Sequence, residues 1–207
     1  MASISSSLDA TPDFVYEPLQ PDEIRILQLA PDHKGHALIG KLSIANIEDS
    51  AIKYDALSYM WGDPAPADRI YISGKALLIA SNLTVALHHL RHADKSLSIW
   101  IDAICIDQQN YDERAEQVQL MRKLYKRADT VRIWINEPGI DSKCDAVTAL
   151  QNFPRVGNDP IALLKSMGED PIFWDPVVPI FANKYWNRAW YGIAFVLFAF
   201  IFLTSFL

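Results

Sequence analysis

Cysteine, clustered basic residues and repeats are what this sequence has little of. Two cysteines occur in 207 residues, Cys105 inside an apolar run and Cys144 between Lys143 and Asp145. That excludes a scaffold built on disulfides and fits a reducing compartment. Lys and Arg number 19 against 25 Asp and Glu, a formal charge of −6. The positive residues fall at expected helix ends or among acids, so no basic face is offered to nucleic acid. Met1 to Asp13 is polar and without an apolar run, which gives no secretory signal. Residues 1–22 read as a disordered leader. Neither an internal repeat nor a low-complexity tract is present, and with 50% apolar residues the chain can fill the core of one ordinary α/β domain.

The most informative stretch runs from Trp100 to Ile135, WIDAICIDQQNYDERAEQVQLMRKLYKRADTVRIWI. It reads as strand, acidic loop, amphipathic helix and second strand. Ser98 to Ile106 is almost wholly apolar, which predicts a strand covered on both faces, as parallel strands are. Asp102 interrupts it. A carboxylate there is costly unless hydrogen-bonded or facing a crevice, and ligands of open α/β sheets bind beyond the carboxyl ends of the strands. Asp102 is therefore a candidate site residue, the alternative being an aspartate that caps a neighbouring loop or helix. Asn110 and Glu113 have capping-box spacing, with Asp112 and Glu116 adding negative charge to the first turns and Arg122, Lys123, Lys126 and Arg127 filling the last ones. A helix over Glu113 to Ala128 follows, with Val118, Met121, Leu124, Tyr125 and Ala128 as its buried stripe. Thr130 to Ile135 returns as a strand that ends at Asn136, Pro138 and Gly139.

Upstream, Ile24 to Ala30 and Ala37 to Ile47 read as two strands, a small β preface. Arg69 to Ile72 and Lys75 to Ala80, joined by Ser73 and Gly74, read as a hairpin insert. A strand at Asp55 to Tyr59 and a helix at Leu83 to His92 precede the central unit. Strand and helix thus alternate, which predicts an α/β fold with a parallel sheet and right-handed crossovers. Weaker helical segments follow at Asp141 to Leu150 and Ile161 to Met167. Trp61, Gly62, Asp63 and Pro64 place a constrained turn at the carboxyl end of the first sheet strand, again a crevice position, unless this is a plain turn with a packed tryptophan. His88 and His92 are one helical turn apart, yet no cysteine or acidic cluster stands nearby with ligand spacing, so a solvated helix face is expected and no metal site. Cys105 has no histidine near it in sequence and reads as a packing residue.

Six blocks occur in the order seen in one known family. YDALSYMWGDP at Tyr54 to Pro64, SNLTVALHHLR at Ser81 to Arg91, WIDAICIDQ at Trp100 to Gln108, ERAEQVQLM, YKRADTVRIWI and YWNRAW at Tyr185 to Trp190 together resemble the fungal heterokaryon incompatibility (HET) domain, over roughly Ile24 to Trp190. The hallmark W-I-D-A-I-C-I-N-Q is met with Asp107 in place of asparagine. This resemblance implies a cytosolic effector domain that triggers cell death on sensing non-self, with a TIR-like, flavodoxin-like sheet flanked by helices. It also implies partners among other HET-type or recognition proteins, or self-assembly. Some TIR domains cleave NAD with a glutamate that follows a tryptophan, and HET domains carry a comparable W-x-x-Q-E after the R-x-W that Arg188 and Trp190 occupy. Here Ile193 and Ala194 stand at those last two positions. The resemblance thus implies a domain at 23–190 that is incomplete at its C-terminal end, acts without catalysis and takes no cofactor. An NAD-cleaving enzyme drawing its acid from Asp102 or Glu137 is the alternative, as is a degenerate, nonfunctional fragment. With the crevice argument, the candidate ligand residues are Trp61, Gly62, Asp63, Asp102, Asp107 and Gln108.

From Ala189 to Leu207 no residue is charged, and Lys184 and Arg188 precede the run. Its length approaches the ~20 residues that cross a bilayer. Residues 191–207 are therefore expected to anchor the chain, with the folded part on the cytoplasmic face. A core helix of a truncated domain, or a by-product of gene structure, is the competing expectation.

Overall fold

The computed structural model describes residues 13–63 and 65–135. Cys144, Glu137, Ala194, the two later helical segments and the uncharged run at 191–207 lie outside the described residues. Among the described residues no helix is long and apolar enough to cross a membrane.

The elements follow the chain as β1 (Glu23–Leu29), β2 (Leu38–Asn46), β3 (Asp55–Tyr59), β4 (Pro66–Ile72), β5 (Lys75–Ala80), α1 (Ser81–Leu90), β6 (Leu97–Trp100), α2 (Asp102–Cys105), α3 (Tyr111–Arg127) and β7 (Thr130–Trp134). All seven strands join one sheet in the order β5-β4-β2-β1-β6-β3-β7. The class is α/β, as expected, but the sheet is mixed. β3 pairs in parallel with β6 and β7, and β2 with β4, whereas β1 is antiparallel to both β2 and β6, and β4 to β5.

The two strands expected as a preface are corrected most by this topology, because β1 lies at the centre of the sheet. Its sequence explains the placement. Ile24, Arg25, Ile26 and Leu27 are all buried, and since successive strand residues point to opposite faces, β1 must be covered on both. The hairpin is likewise no separate insert but the outer edge of the same sheet. Its turn, Ser73 (φ 50°) and Gly74 (φ 83°), has both central residues in the left-handed region, the two-residue geometry whose twist matches that of the strands.

A second correction concerns Ser98 to Ile106. The strand stops at Trp100, and the chain turns into a short helix in which Cys105 N donates to Ile101 O at 2.8 Å and Ile106 N to Asp102 O at 3.3 Å. An unbroken apolar run cannot by itself distinguish a covered strand from a buried helical turn, and here it contains both. In α1 the helix begins and ends two residues early, at Ser81 and Leu90. His92 is thus beyond its end and shares no helix face with His88.

In α3 the cap is as the spacing predicts, Asn110 Oδ1 accepting from Glu113 N at 3.1 Å. The buried stripe is rotated from the expected one. It is made by Glu113, Gln117 and Leu124, with Leu120, Met121, Tyr125 and Ala128 partly buried against the core. Val118 is 37% exposed. Two of the buried residues are polar because β1 supplies their partners: Arg25 for Glu113, and Glu23 O, which accepts from Gln117 Nε2 at 2.8 Å.

Candidate functional site

Because β3, β6 and β7 run parallel, Tyr59, Trp100 and Trp134 end at the same side of the sheet. The crossover from β3 leads to β6 on one side of it, and the crossover from β6 passes over β3 to β7 on the other. The reversal makes the carboxyl end of β3 a topological switch point, the place where open α/β sheets hold ligands. Six side chains meet there. Trp61, just past β3, donates its indole N–H to Asp102 Oδ2 at 3.0 Å, and Asp102 Oδ1 accepts from Ala103 N at 2.8 Å. Gln108 Nε2 donates to Asp102 O at 2.8 Å. Asn82, in the first turn of α1, donates to Met60 O and accepts the indole N–H of Trp134 at 3.1 Å. The His89 ring lies 5.0 Å from that of Trp134.

These residues come from four of the ordered blocks, Asn82 and His89 sharing one and Asp102 and Gln108 another. A family comparison covers the same blocks: the model for heterokaryon incompatibility protein (HET) matches residues 54–192. The chain belongs to the HET family. It is similar to heterokaryon incompatibility protein 6, OR allele, of Neurospora crassa, at 36% identity over 110 residues that cover 47% of this chain and 16% of that protein. The chain therefore matches only a small part of that relative's length. No solved structure matches it. The HET match begins at Tyr54, so β1 and β2, which complete the centre of the sheet, lie ahead of it.

Of the residues singled out in the sequence, the HET fold brings Trp61, Asp102 and Gln108 together. Gly62 shapes the same corner. Its φ of +72° lies where side chains are rarely tolerated, and a Cβ added to it would face Asn82 Cβ at 3.7 Å. Trp61 is 39% exposed, so the turn is not one that merely packs its tryptophan. Asp63 only folds the turn, accepting from Ala65 N at 3.0 Å. Asp107 makes its contacts elsewhere: its Oδ1 accepts from Gln109 N at 3.0 Å and its own N–H donates to Glu113 Oε1 at 2.8 Å. Asn82 and Trp134 were missed. Their signal was present, an asparagine at a helix start and a tryptophan at the end of a strand, but neither carries a charge that marks it as misplaced.

Arg25 was missed as well, although a charge inside EIRILQL is the same kind of signal as Asp102 inside its run. It is 2% exposed and grips the 8%-exposed Glu113 through two bonds, Nη1 to Oε1 at 2.6 Å and Nη2 to Oε2 at 2.9 Å. Nη1 also donates to Cys105 O at 3.0 Å and Nη2 to Glu17 O. The Tyr16 ring lies 4.8 Å from the guanidinium carbon, and its hydroxyl donates to Ile104 O at 3.0 Å. These bonds hold Ile104 and Cys105, within the stretch that carries Asp102 and Gln108, and Glu113 just after it. Burial alone would push the Glu113 carboxyl up, but the Arg25 bonds, the Asp107 N–H and the Arg25 charge together hold it below the usual carboxylate range. Burial pushes the Cys105 thiol up to about 12. It is a protonated packing group at neutral pH and no nucleophile.

Chemically, the edge is an oriented acceptor beside an exposed aromatic face. Among the described residues no group of three His, Cys, Asp or Glu is placed to hold a metal ion.

Proposed function

We propose that this chain acts in fungal non-self recognition, presenting the Trp61–Asp102 edge to a related or recognition domain and signalling towards cell death by assembly, without catalysis. One observation carries the reading. Residues from four separate blocks of the HET pattern converge at a switch point, and there they tie down the polar groups while leaving an indole ring in solvent. Packing needs would bury such a ring; recognition by another protein uses aromatic rings at the centre of its contacts. Induced expression of the full chain in a fungal host, with colony viability and cellular NAD followed together, tests this. The expected result is growth arrest at constant NAD, lost in Trp61→Ala. A wild-type chain as inert as that variant would point to a nonfunctional fragment.

The NAD-cleaving alternative draws its support from the parallel β6-β3-β7 half, which is the part of the sheet a TIR-like reading needs, and from Asp102 beside its carboxyl edge. A catalytic carboxylate must reach the ribosyl bond of NAD. Both Asp102 oxygens already accept hydrogen bonds within the fold, which favours the assembly reading. NAD loss on expression, abolished by Asp102→Asn, would reverse that preference. Attachment to the cytoplasmic face of a membrane through residues 191–207 belongs to the same proposal, and alkaline carbonate extraction of the full chain tests it by leaving an anchored protein in the pellet.

A further inference from the structure

None of the edge residues lines the cleft of about 560 Å³ on the other half of the sheet, where the chain before β2, the first residues of β4 and one face of α1 face one another. Pairing of β2 with β4 begins only at Leu38 and Ile70. Ahead of that pair the two strands part, and the gap is lined by His36, Asp68, Arg69, Thr84 and His88, together with Tyr71, which pairs with Ile39 just after it. The volume is in the range of small-molecule sites, roughly 300–1,000 Å³.

What lies behind the lining sets its chemistry. Arg91 is 7% exposed, and its guanidinium donates to Ala37 O at 2.8 Å, to His36 O at 3.0 Å, to His33 O and to His88 Nδ1 at 3.3 Å. Every one of these acceptors is neutral. Arg91 takes part in no ion pair among the described residues, and its buried Nε has no partner. Asp32, the acid that feels its charge, is at the surface and accepts from His33 N and His36 Nδ1. A buried cation without a counter-ion makes the space beside it attractive to an anion.

The same contact fixes the histidine. A guanidinium has donors only, so His88 Nδ1 must accept, and a neutral His88 carries its proton on Nε2, on the other side of the ring. Burial, and then the charge of Arg91, hold the His88 pKa below its ordinary value, against a smaller opposing pull from the Asp68 charge. Arg69 adds a second donor group, its side chain in no ion pair among the described residues, and Tyr71 adds a hydroxyl. The one carboxylate in the lining, Asp68, has an oxygen engaged by Arg69 N at 2.9 Å.

We propose that this cleft binds a small organic anion, a carboxylate or a phosphate monoester, with its charged head between the Arg69 guanidinium and His88 Nε2–H and over the buried Arg91.

Titration calorimetry on the full chain, at fixed ionic strength set with chloride, tests the site with three probes: inorganic phosphate, glucose 6-phosphate and citrate. Saturable binding of at least one is expected, and the three arms separate phosphate from carboxylate. Arg69→Gln should weaken it about tenfold or more, the loss of one charge-assisted contact. His88→Leu should abolish it, while His88→Gln, which restores a donor near the Nε2 position, should retain it. Val118→Ala, at an exposed position of α3 outside the cleft, should bind as wild type does. Circular dichroism establishes that each variant is folded, and nitrogen-15 spectra of His88 should show the Nε2–H tautomer in the free protein. No saturable heat with any probe, wild-type binding in both Arg69→Gln and His88→Leu, or loss in Val118→Ala would overturn the assignment.

Discussion

Two polar clusters share the stretch from Asp102 to Glu113, and their surroundings are opposite. At one end Arg25 and Glu113 are sealed between β1 and α3, charge against charge, with main-chain oxygens taking the remaining Nη donors. At the other, Trp61 and Asp102 meet at the rim of the sheet, where water reaches both. A buried ion pair adds little net stability over apolar residues of the same shape, yet removal of one partner strands a charge and is severe. Such a pair therefore specifies how β1, the α2 turn and α3 must fit. Hydrogen bonds at a solvated rim add little to stability and cost little to lose. The first cluster is a scaffold, and the second can change with little cost to the fold.

Removal of Arg25 should break that contrast most sharply. Arg25→Met leaves the Glu113 carboxylate buried, and a loss of about 3–5 kcal/mol is expected, read from urea unfolding at unchanged m-value. Arg25→Met combined with Glu113→Leu should recover most of it. A single variant that costs under about 1 kcal/mol would mean that water reaches the pair and that the two clusters do not differ.

Within α3 the contrast can be sharpened at two apolar positions. Leu124 is fully buried and Val118 is exposed, so Leu124→Ala should cost about 2–5 kcal/mol, whereas Val118→Ala should stay within about 0.5 kcal/mol. Equal thermal shifts would restore the stripe expected from apolar spacing alone.

Acid should weaken the buried cluster only below the ordinary carboxyl range. The Glu113 pKa is lowered in the fold, so its contribution to stability is complete above the ordinary carboxyl value of 4.5 and fades as pH falls through the folded value. The advantage of the wild type over Glu113→Gln should thus be level from neutral pH down to about 4.5 and shrink below it. Paired urea titrations across that range measure the difference directly. An advantage that grew on acidification would mean a raised Glu113 pKa and no effective pairing with Arg25.

The same contrast explains what could be read from the sequence. Local signals sufficed wherever neighbours in sequence determine the structure: the Asn110 cap, the charge gradient along α3, the Ser73–Gly74 turn and the bounds of β3 all follow from adjacent residues. Sheet order did not follow, because β1 is placed at the centre by β6 partners such as Ile99 and Ser98, far away in the chain. The α2 turn was hidden in an apolar run that suits strand and buried helix alike. At the edge, Trp61, Asp102 and Gln108 were legible as breaks in pattern or as parts of known blocks. Asn82, Trp134 and Arg25 needed the fold, since their roles rest on contacts across 52 and 88 residues of sequence.

The smallest effect is expected at the rim itself. Trp61→Phe keeps the ring but removes the N–H that Asp102 Oδ2 accepts at 3.0 Å. Because water can replace that donor, the cost should lie at or below the ~0.5–1.5 kcal/mol of an ordinary hydrogen bond, a shift a thermal melt can resolve. Amide exchange gives a local reading. Ala103 N–H, held by the other oxygen of Asp102, should exchange faster once the carboxylate has lost its Trp61 donor, while amides in β1 stay as protected as before. In the fungal expression assay Trp61→Phe should keep more activity than Trp61→Ala, since the ring remains. Should Trp61→Phe instead destabilise the fold as much as Arg25→Met, the rim would be a second scaffold, and recognition would have to be sought on another face.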